Sequence, residues 1–264
     1  MSFVHELAYH QVGRVSSVQH RHTDSNTLEF IQILSGNGNA LIGDKTYPLA
    51  PGTMLFIDAT YIHAINPQDS SNYKRNKLIV DKQMLYSILQ LLKDQTPLHI
   101  FSGGGSCFLP TQTQAAEIDA VFRGLHTDTH RESDALCTVL QLLHFVHKQP
   151  GAAPPQTDPR ITHVLQYIHT HYAEPLTVDQ IAAETLLSKY YLCHLFRTHT
   201  GITVMQYLNE QRLSFARVLL SDSDQPIAEI AQNCGFGSSS HFCTAFRTRE
   251  GISPREFRIT HRKK

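Results

Sequence analysis

Apolar and polar residues alternate along residues 15–65, and turn signals interrupt the alternation at close intervals. Short apolar runs at 28–34, 40–42, 47–49 and 54–57 are separated by segments rich in Gly, Asn and Pro. A period of two places successive side chains on opposite faces of a strand. Several short strands at such spacing are typical of a β-sandwich or a small barrel, which we predict for this part of the chain.

The period changes after residue 80, where apolar residues recur every three or four positions. This spacing predicts helices over 84–92, 118–125 and 132–147, each with one buried stripe. The third segment is apolar over a wide arc. It is therefore expected either to pack on the barrel or to form a dimer interface.

A proline-rich segment divides the chain. Residues 149–159 contain four prolines and one glycine in eleven positions. Such a segment can neither continue a helix nor pair in a central strand, so it indicates an exposed linker. We predict an N-terminal domain over 1–148 and a C-terminal domain over 160–264.

The C-terminal segment contains one pattern twice, at an offset of fifty residues. The equivalent positions include Ser188 and Ser238, Leu192 and Phe242, Phe196-Arg197 and Phe246-Arg247, and Gly201-Ile202 and Gly251-Ile252. A repeated supersecondary unit explains this self-similarity, and each copy has the length of a helix-turn-helix. A further apolar pattern over 204–220 predicts one helix that connects the two copies and fixes their separation.

Local signals mark the ends of these helices. Thr177, Ser188 and either Ser238 or Ser239 are predicted N-caps, since their hydroxyls can accept from the first backbone amides of a helix. Pro226 is expected to start the first helix of the second copy. Gly235 is expected to supply the positive φ of the turn between the two helices of that copy.

The basic charge gathers in the last third of the chain. The 264 residues have a net charge of zero, with 41% hydrophobic and 17% charged residues. From Leu186 onward, however, eleven Lys and Arg residues face six Asp and Glu residues, a balance of +5. This asymmetry favours a nucleic-acid partner for that segment alone.

Cysteine usage and hydropathy indicate a cytoplasmic protein. The five cysteines are scattered without a CxxC pair, which is typical of reduced thiols. No apolar stretch reaches the roughly 18–20 residues of a membrane helix, and the N-terminus lacks an export signal. We therefore expect no membrane association.

Residues 161–258 resemble the DNA-binding domain of the AraC/XylS family of bacterial transcription regulators. The resemblance rests mainly on IAEIAQNCGFGSSSHFCTAFR at 227–247 and GISPREFR at 251–258. It implies a two-domain α+β protein, with a cupin-like β-barrel and flanking helices before an all-α domain of two helix-turn-helix units joined by a long helix. It also implies binding to promoter double-stranded DNA, activation through RNA polymerase and a homodimer, although repression is equally open from the sequence.

The resemblance assigns DNA-contacting residues by position. The base-facing set is Lys189, Tyr190, Tyr191 and His194 in the first unit and Ser239, Ser240, His241 and Thr244 in the second. Ser238, at the start of the second set, is also expected to contact DNA. Arg197 and Arg247 lie further along and are expected to hold phosphates. Because the base-facing set contains no arginine, we expect recognition to depend on His194, His241 and DNA shape.

The first unit departs from the family at its turn. The family usually has glycine there, whereas this chain has Thr185-Leu186-Leu187. Leucine at positive φ costs about 1–2 kcal/mol. The first turn is therefore built differently, or the first unit is slightly misplaced for DNA contact.

The N-terminal domain resembles the cupin-like sensor of the same family. The matching positions are His20, His22, Glu29, Gly36, Pro51-Gly52 and His63. In metal-dependent cupins, three histidines and a glutamate at such positions bind one ion. Here six residues separate His22 from Glu29, more than metal cupins usually allow. We expect a metal-free pocket in which His20, His22, Glu29 and His63 bind a small polar effector, sugars being a frequent class.

Two alternatives remain at this point. One is a metal-dependent cupin enzyme or metal sensor with a DNA-binding appendage, which needs an open coordination position. The other is a constitutive DNA-binding protein whose cupin only dimerises.

The run Ser102-Gly-Gly-Gly-Ser106 lacks the GK[ST] ending of a phosphate loop and is expected to be a flexible loop. No GxSxG motif accompanies a serine, so we expect neither catalysis nor a cofactor.

Overall fold

The computed structural model describes residues 2–12, 26–93, 96–125, 131–147 and 158–262. They form two compact domains, an N-terminal domain that ends at residue 147 and a C-terminal domain that covers 158–262. Within these ranges, every helix is too short or too polar to span a membrane.

The N-terminal domain is built on two antiparallel sheets. Its strands are β1 (Val4–Val12), β2 (Thr27–Ser35), β3 (Gly38–Ile42), β4 (Lys45–Leu49), β5 (Met54–Asp58), β6 (His63–Pro67), β7 (Lys74–Asp81) and β8 (Gly105–Phe108). One sheet has the order β1-β7-β2-β5-β8 and the other β4-β3-β6. The strands predicted from alternation, β2 to β5, are confirmed. The sequence analysis did not identify β1, β6, β7 or β8.

Apolar side chains from both sheets fill the interior of the barrel. Ile31 and Ile33 of β2 belong to the same buried cluster as Ala40 and Ile42 of β3. Neighbouring residues of β2, Leu28 and Phe30, belong to a second cluster that includes the helices. The alternation along β2 therefore serves two apolar cores, one on each face of the larger sheet.

Three helices cover the outer face of the five-stranded sheet. They are α1 (Lys82–Leu91), α2 (Gln112–Leu125) and α3 (Glu132–His147). Phe122 of α2 and Val139, Leu143 and Val146 of α3 are buried in the cluster that contains Phe30. The prediction that 132–147 packs on the barrel is confirmed, and its role in a dimer stays a prediction.

The expectation of a flexible loop at Ser102–Ser106 is wrong. A 3₁₀ segment, Thr96–Gly104, leads directly into β8, and Gly105 and Ser106 pair with Ile57 and Phe56 of β5. A Cβ atom at Gly105 would lie 2.0 Å from the carbonyl oxygen of Phe56. Glycine is required here for close backbone approach in a sheet and does not indicate mobility.

The C-terminal domain is entirely helical within the described residues. Its helices are α4 (Pro159–His171), α5 (Val178–Glu184), α6 (Lys189–Thr200), α7 (Val204–Asp222), α8 (Ile227–Asn233), α9 (Ser239–Glu250) and α10 (Pro254–His261). Asp158 caps α4 and Pro159 is its first residue, so the helical part begins within the predicted linker. Residues 149–157 of that linker lie outside the described residues. We did not separate α10 from the preceding helix in the sequence.

The predicted N-caps are confirmed. Thr177 forms a capping box with Gln180, whose side chain accepts from the Thr177 backbone amide at 2.8 Å. Ser188 accepts from the amide of Tyr191, and Ser238, the first of the two serines proposed, accepts from that of His241. Each cap stabilises its helix by about 1 kcal/mol.

The connecting helix α7 joins the two repeated units into one core. Near its start, the ring of Tyr207 packs edge-on against Phe196 of the first unit at 5.7 Å. Further along, Leu213 and Ala216 are buried with Phe242 and Phe246 of the second unit. A single buried helix therefore fixes the distance between the two units, as the apolar pattern over 204–220 predicts.

Candidate nucleic-acid interface and barrel-interior site

The two helix-turn-helix units use the same backbone turn. Leu186 has φ of +58° and Gly235 has φ of +79°. In the first unit the amide of Leu187 donates to the carbonyl of Ala182 at 2.9 Å. In the second, the amide of Phe236 donates to that of Ala231 at the same distance. The alternative that the first turn is built differently is wrong, because Leu186 adopts the left-handed conformation at its steric cost.

The second helix of each unit, α6 or α9, has one buried and one exposed face. Leu192 and Phe196 of α6 and Phe242 and Phe246 of α9 are fully buried. The opposite face is exposed and carries all eleven predicted DNA-contacting residues: Lys189, Tyr190, Tyr191, His194 and Arg197 on α6, and Ser238, Ser239, Ser240, His241, Thr244 and Arg247 on or at the start of α9. The fold thus collects each predicted set on one surface. Their contact with DNA stays a prediction.

Four arginines of the C-terminal domain form two contrasting pairs. Arg217 pairs with Glu250 at 2.8 Å, and Arg249 pairs with Glu210 at 2.7 Å, both largely buried between helices. Arg197 and Arg247 are exposed, and neither forms an ion pair with another described residue. The paired arginines hold α7 against α9, and the exposed two can meet an external anion.

Side chains on the exposed face differ in how firmly they are held. Tyr190 is 84% exposed. The ring of His241 packs edge-on against Phe236 at 5.6 Å, which limits its rotation. The hydroxyl oxygen of Ser238 accepts from the His241 amide, so its observed role is to cap α9.

Two neighbours of the predicted set were missed in the sequence. Arg160 of α4 lies over the ring of Tyr191 at 5.4 Å and donates to its hydroxyl group. Asp179 of α5 pairs with Lys189 at 2.8 Å. This second pair is exposed and contributes little to stability. No spacing in the sequence indicates either contact, since each joins different helices.

The barrel interior contains a cluster of charged side chains. Glu29 of β2 and His63 of β6 are 1% and 5% exposed, and Glu29 Oε1 lies 3.5 Å from His63 Nε2. His63 Nδ1 lies 2.9 Å from the carbonyl oxygen of Tyr61. Because a carbonyl only accepts, Nδ1 carries a proton, and in neutral His63 the lone pair of Nε2 faces Glu29. A hydroxyl group of a ligand can donate to either atom.

Lys77 of β7 completes this cluster and was also missed. Its ammonium nitrogen lies 3.5 Å from Glu29 Oε2 and 3.5 Å from Glu6 Oε2. Lys77 is buried in the same continuous stretch of β7 as the apolar residues Leu78, Ile79 and Val80. We call Glu6, Glu29, His63 and Lys77 the barrel-interior cluster.

Of the four predicted metal ligands, Glu29 and His63 lie within the described residues. The Lys77 ammonium group occupies one side of the Glu29 carboxylate, where it repels a second cation. Within the described ranges, no group of three or more His, Cys, Asp or Glu side chains is placed to hold an ion. His20 and His22, the other two predicted pocket residues, lie outside the described residues.

Two family models match the chain. An AraC-like ligand binding domain matches residues 5–146, and a helix-turn-helix domain matches residues 181–259. The HTH-type transcriptional activator RhaS of Klebsiella pneumoniae (strain 342) is 36% identical over 144 residues, 54% of this chain and 51% of that protein. RhaS of Citrobacter koseri is 30% identical over 241 residues, 87% of this chain and 84% of that protein.

The first relatives are matched over only part of their length. This chain spans 51%, 62% and 52% of three RhaS proteins that it resembles. Among solved structures, the C-terminal domain of AraT, a response regulator from Geobacillus stearothermophilus, is 30% identical. It covers 41% of this chain and 91% of that domain, with a TM-score of 0.41.

Proposed function

This chain belongs to the AraC family of transcription regulators, and we propose that it is a sequence-specific DNA-binding activator controlled by a small molecule. The C-terminal domain binds promoter double-stranded DNA, and the barrel of the N-terminal domain binds the effector. The protein regulates transcription and does not catalyse a reaction.

One observation carries the DNA-binding proposal. Two helix-turn-helix units with the same turn expose the outer faces of α6 and α9, and the buried helix α7 connects them. Two recognition helices on one rigid frame can enter successive major-groove segments about 34 Å apart, one turn of B-DNA. We therefore propose an operator with two half-elements at that spacing.

The exposed residues divide into two roles. Arg197 and Arg247 have no ion-pair partner among the described residues, so each can neutralise a phosphate and fix the register of its helix on the duplex. Of the remaining residues of the set, Ser238 caps α9. The other eight face the groove: Lys189, Tyr190, Tyr191, His194, Ser239, Ser240, His241 and Thr244. Of these, His194 and His241 are expected to carry most of the base discrimination through hydrogen bonds.

The barrel-interior cluster is the proposed effector site. Carboxylate, imidazole and ammonium groups together can accept from and donate to a molecule rich in hydroxyl groups, such as a sugar. We expect His20 and His22 to complete this site. Effector binding regulates transcription only if it favours one of two arrangements that differ in DNA affinity.

Further properties follow from this function. A regulator of bacterial promoters works in the cytoplasm, where we expect a homodimer held together through the N-terminal domain. Activation requires contact with RNA polymerase. The competing proposal of a metal-dependent cupin enzyme or metal sensor is disfavoured by the Lys77 ammonium group next to Glu29.

The test is a selection of bound sequences from random duplex DNA with the purified full-length protein at stated salt, with and without a panel of sugars. We expect enrichment of two half-elements one helical turn apart. A single element would limit base recognition to one unit. No enrichment under any condition would contradict the proposed function.

A further inference from the structure

Three side chains form a cluster at the start of the C-terminal domain. Asp158 caps α4 by accepting from the Arg160 amide at 2.9 Å. Its carboxylate also accepts from Arg160 Nε at 2.9 Å and from Arg160 Nη2 at 2.6 Å. The same guanidinium group covers the ring of Tyr191 on α6 at 5.4 Å, and its Nη1 donates to the Tyr191 hydroxyl group. The cluster therefore joins the first residues of α4 to the first turn of α6.

The geometry holds Arg160 firmly. Three of its nitrogens donate to Asp158 or Tyr191, and the guanidinium carbon lies over the Tyr191 ring, 5.4 Å from its centre. Such a fork combines several directed hydrogen bonds with a cation–π contact, which a lysine cannot reproduce. The hydrogen bond from Arg160 lowers the pKa of Asp158 to about 2, so the carboxylate stays charged at neutral pH. The charge of Arg160 is thus paired with Asp158, although half of its side chain is exposed, whereas Arg197 has no ion-pair partner among the described residues.

The effect on α6 differs between two adjacent tyrosines. Tyr190 is 84% exposed, whereas Tyr191, under the guanidinium group, is 37% exposed. Both lie in the first turn of α6, the end of a recognition helix that contacts base edges. Tyr190 can change rotamer freely, and Tyr191 is presented in one orientation.

We infer that Asp158 and Arg160 are positioning residues of the DNA interface, which fix Tyr191 in the orientation that the first recognition helix presents to the major groove. The inference rests on the proposed DNA-binding function. Neither residue is assigned a contact with DNA. Their effect on base preference is confined to the half-element that the first helix-turn-helix unit contacts, because His241, the equivalent of Tyr191 in the second unit, packs on Phe236 instead.

The experiment compares full-length wild-type protein with Arg160→Ala, Arg160→Lys, Tyr191→Ala and the double variant Arg160→Ala/Tyr191→Ala. Selection from random duplex DNA gives the base preference at each position, and titrations at several salt concentrations give affinity and its salt dependence. Arg160→Ala and Tyr191→Ala are expected to relax preference at the same positions of one half-element. Each should lower affinity for the selected site by about tenfold, the scale of one lost polar contact.

The double variant and the lysine variant make the inference specific. If Arg160 acts through Tyr191, the double variant binds about as weakly as either single variant, since coupled residues are not additive. Arg160→Lys keeps the charge next to Asp158, and the backbone amide that Asp158 caps is present in every variant. The lysine variant should nevertheless relax the same base positions. This variant also serves if Arg160→Ala lowers the melting temperature too far for binding assays.

Three results would overturn the inference. Wild-type behaviour of Arg160→Lys, with a smaller salt slope only in Arg160→Ala, would make Arg160 a direct phosphate contact. Additive losses in the double variant would separate Arg160 from Tyr191. Unchanged base preference in all variants would remove any role in recognition. If the wild-type protein itself enriches no sequence, the proposed function fails, and not the role of this cluster within it.

Discussion

Leu186 and Gly235 occupy equivalent turns of the two helix-turn-helix units and share the left-handed backbone conformation. Their surroundings differ. The Leu186 side chain is 90% exposed, whereas a Cβ atom at Gly235 would lie 2.7 Å from the carbonyl oxygen of Tyr172. The first turn tolerates a side chain because the side chain points into solvent. The second turn tolerates none because the chain after α4 packs directly against it.

Opposite changes at these two positions should have opposite effects on stability. Leu186→Gly relieves the strain of a positive φ, and we expect the free energy of unfolding to rise by about 0.5–1 kcal/mol after the larger chain entropy of glycine is subtracted. Gly235→Ala adds both strain and a backbone clash and should lower it by about 2 kcal/mol or more. Urea unfolding of the full chain, followed by helical circular dichroism, measures both.

Ala183→Gly is the matched control for Leu186→Gly, because Ala183 is exposed within α5, three residues earlier. Glycine at a helical position should destabilise the protein by about 1 kcal/mol. A loss of stability in Leu186→Gly similar to that in Ala183→Gly would show that the turn carries no strain.

Arg247 and Arg249 should separate DNA binding from folding, although they are two residues apart. Arg247→Ala removes an exposed cation, so affinity for all duplex sequences should fall together and the salt slope should decrease by about 1. Arg249→Ala leaves Glu210 buried without its partner and should lower the free energy of unfolding by about 3 kcal/mol. Salt titrations and urea unfolding of both variants test this, and a sequence-dependent loss in Arg247→Ala would contradict its phosphate role.

His241→Ala should change specificity more than affinity. Its ring is held on Phe236 at the exposed start of α9, and its loss should relax preference at one base position by about 1–2 kcal/mol. Selection from random duplex DNA provides the measurement. Gln166→Ala, on the exposed side of α4, is the control and should leave the base profile unchanged. An identical profile for His241→Ala would exclude base recognition by this residue.

Glu29→Gln should abolish the effector response and spare DNA binding without effector. The neutral amide no longer pairs with Lys77, and it replaces an acceptor oxygen with a donor group in the barrel-interior cluster. We expect the sugar that raises the melting temperature of the wild-type protein to produce no shift in this variant. Asp44→Asn, an exposed carboxylate in the turn between β3 and β4, is the control and should respond as wild type. A full shift in Glu29→Gln would place the effector elsewhere.

Much of the fold could be predicted from the sequence because its signals are local. The hydroxyl of Ser188 or Thr177 needs only the amide three residues later, so a cap is visible in a few letters. Strand β2 and helix α3 are visible through their apolar periods. The glycine run that leads into β8 gave a wrong prediction. Glycine is needed at Gly105 because the backbone of Phe56, on another strand, lies too close for a side chain.

The candidate sites were predicted only in part. The outward positions of α6 and α9 follow from the helical repeat, and all of them are exposed as expected. The residues that hold or neutralise these side chains were not found. Arg160 reaches Tyr191 from another helix, and Lys77 reaches Glu29 from a neighbouring strand. Nothing in the local pattern of either residue distinguishes it from a solvated surface cation.

Residue spacing within single elements was enough to predict the repeat of two helix-turn-helix units, the helix that connects them and the family to which they point. The engagement of each cation, in contrast, is visible only in the folded chain. It pairs Arg249 with Glu210 and leaves Arg247 exposed, and it buries Lys77 between Glu6 and Glu29. Ion pairing depends on distances between atoms of different elements, and chain folding alone sets those distances.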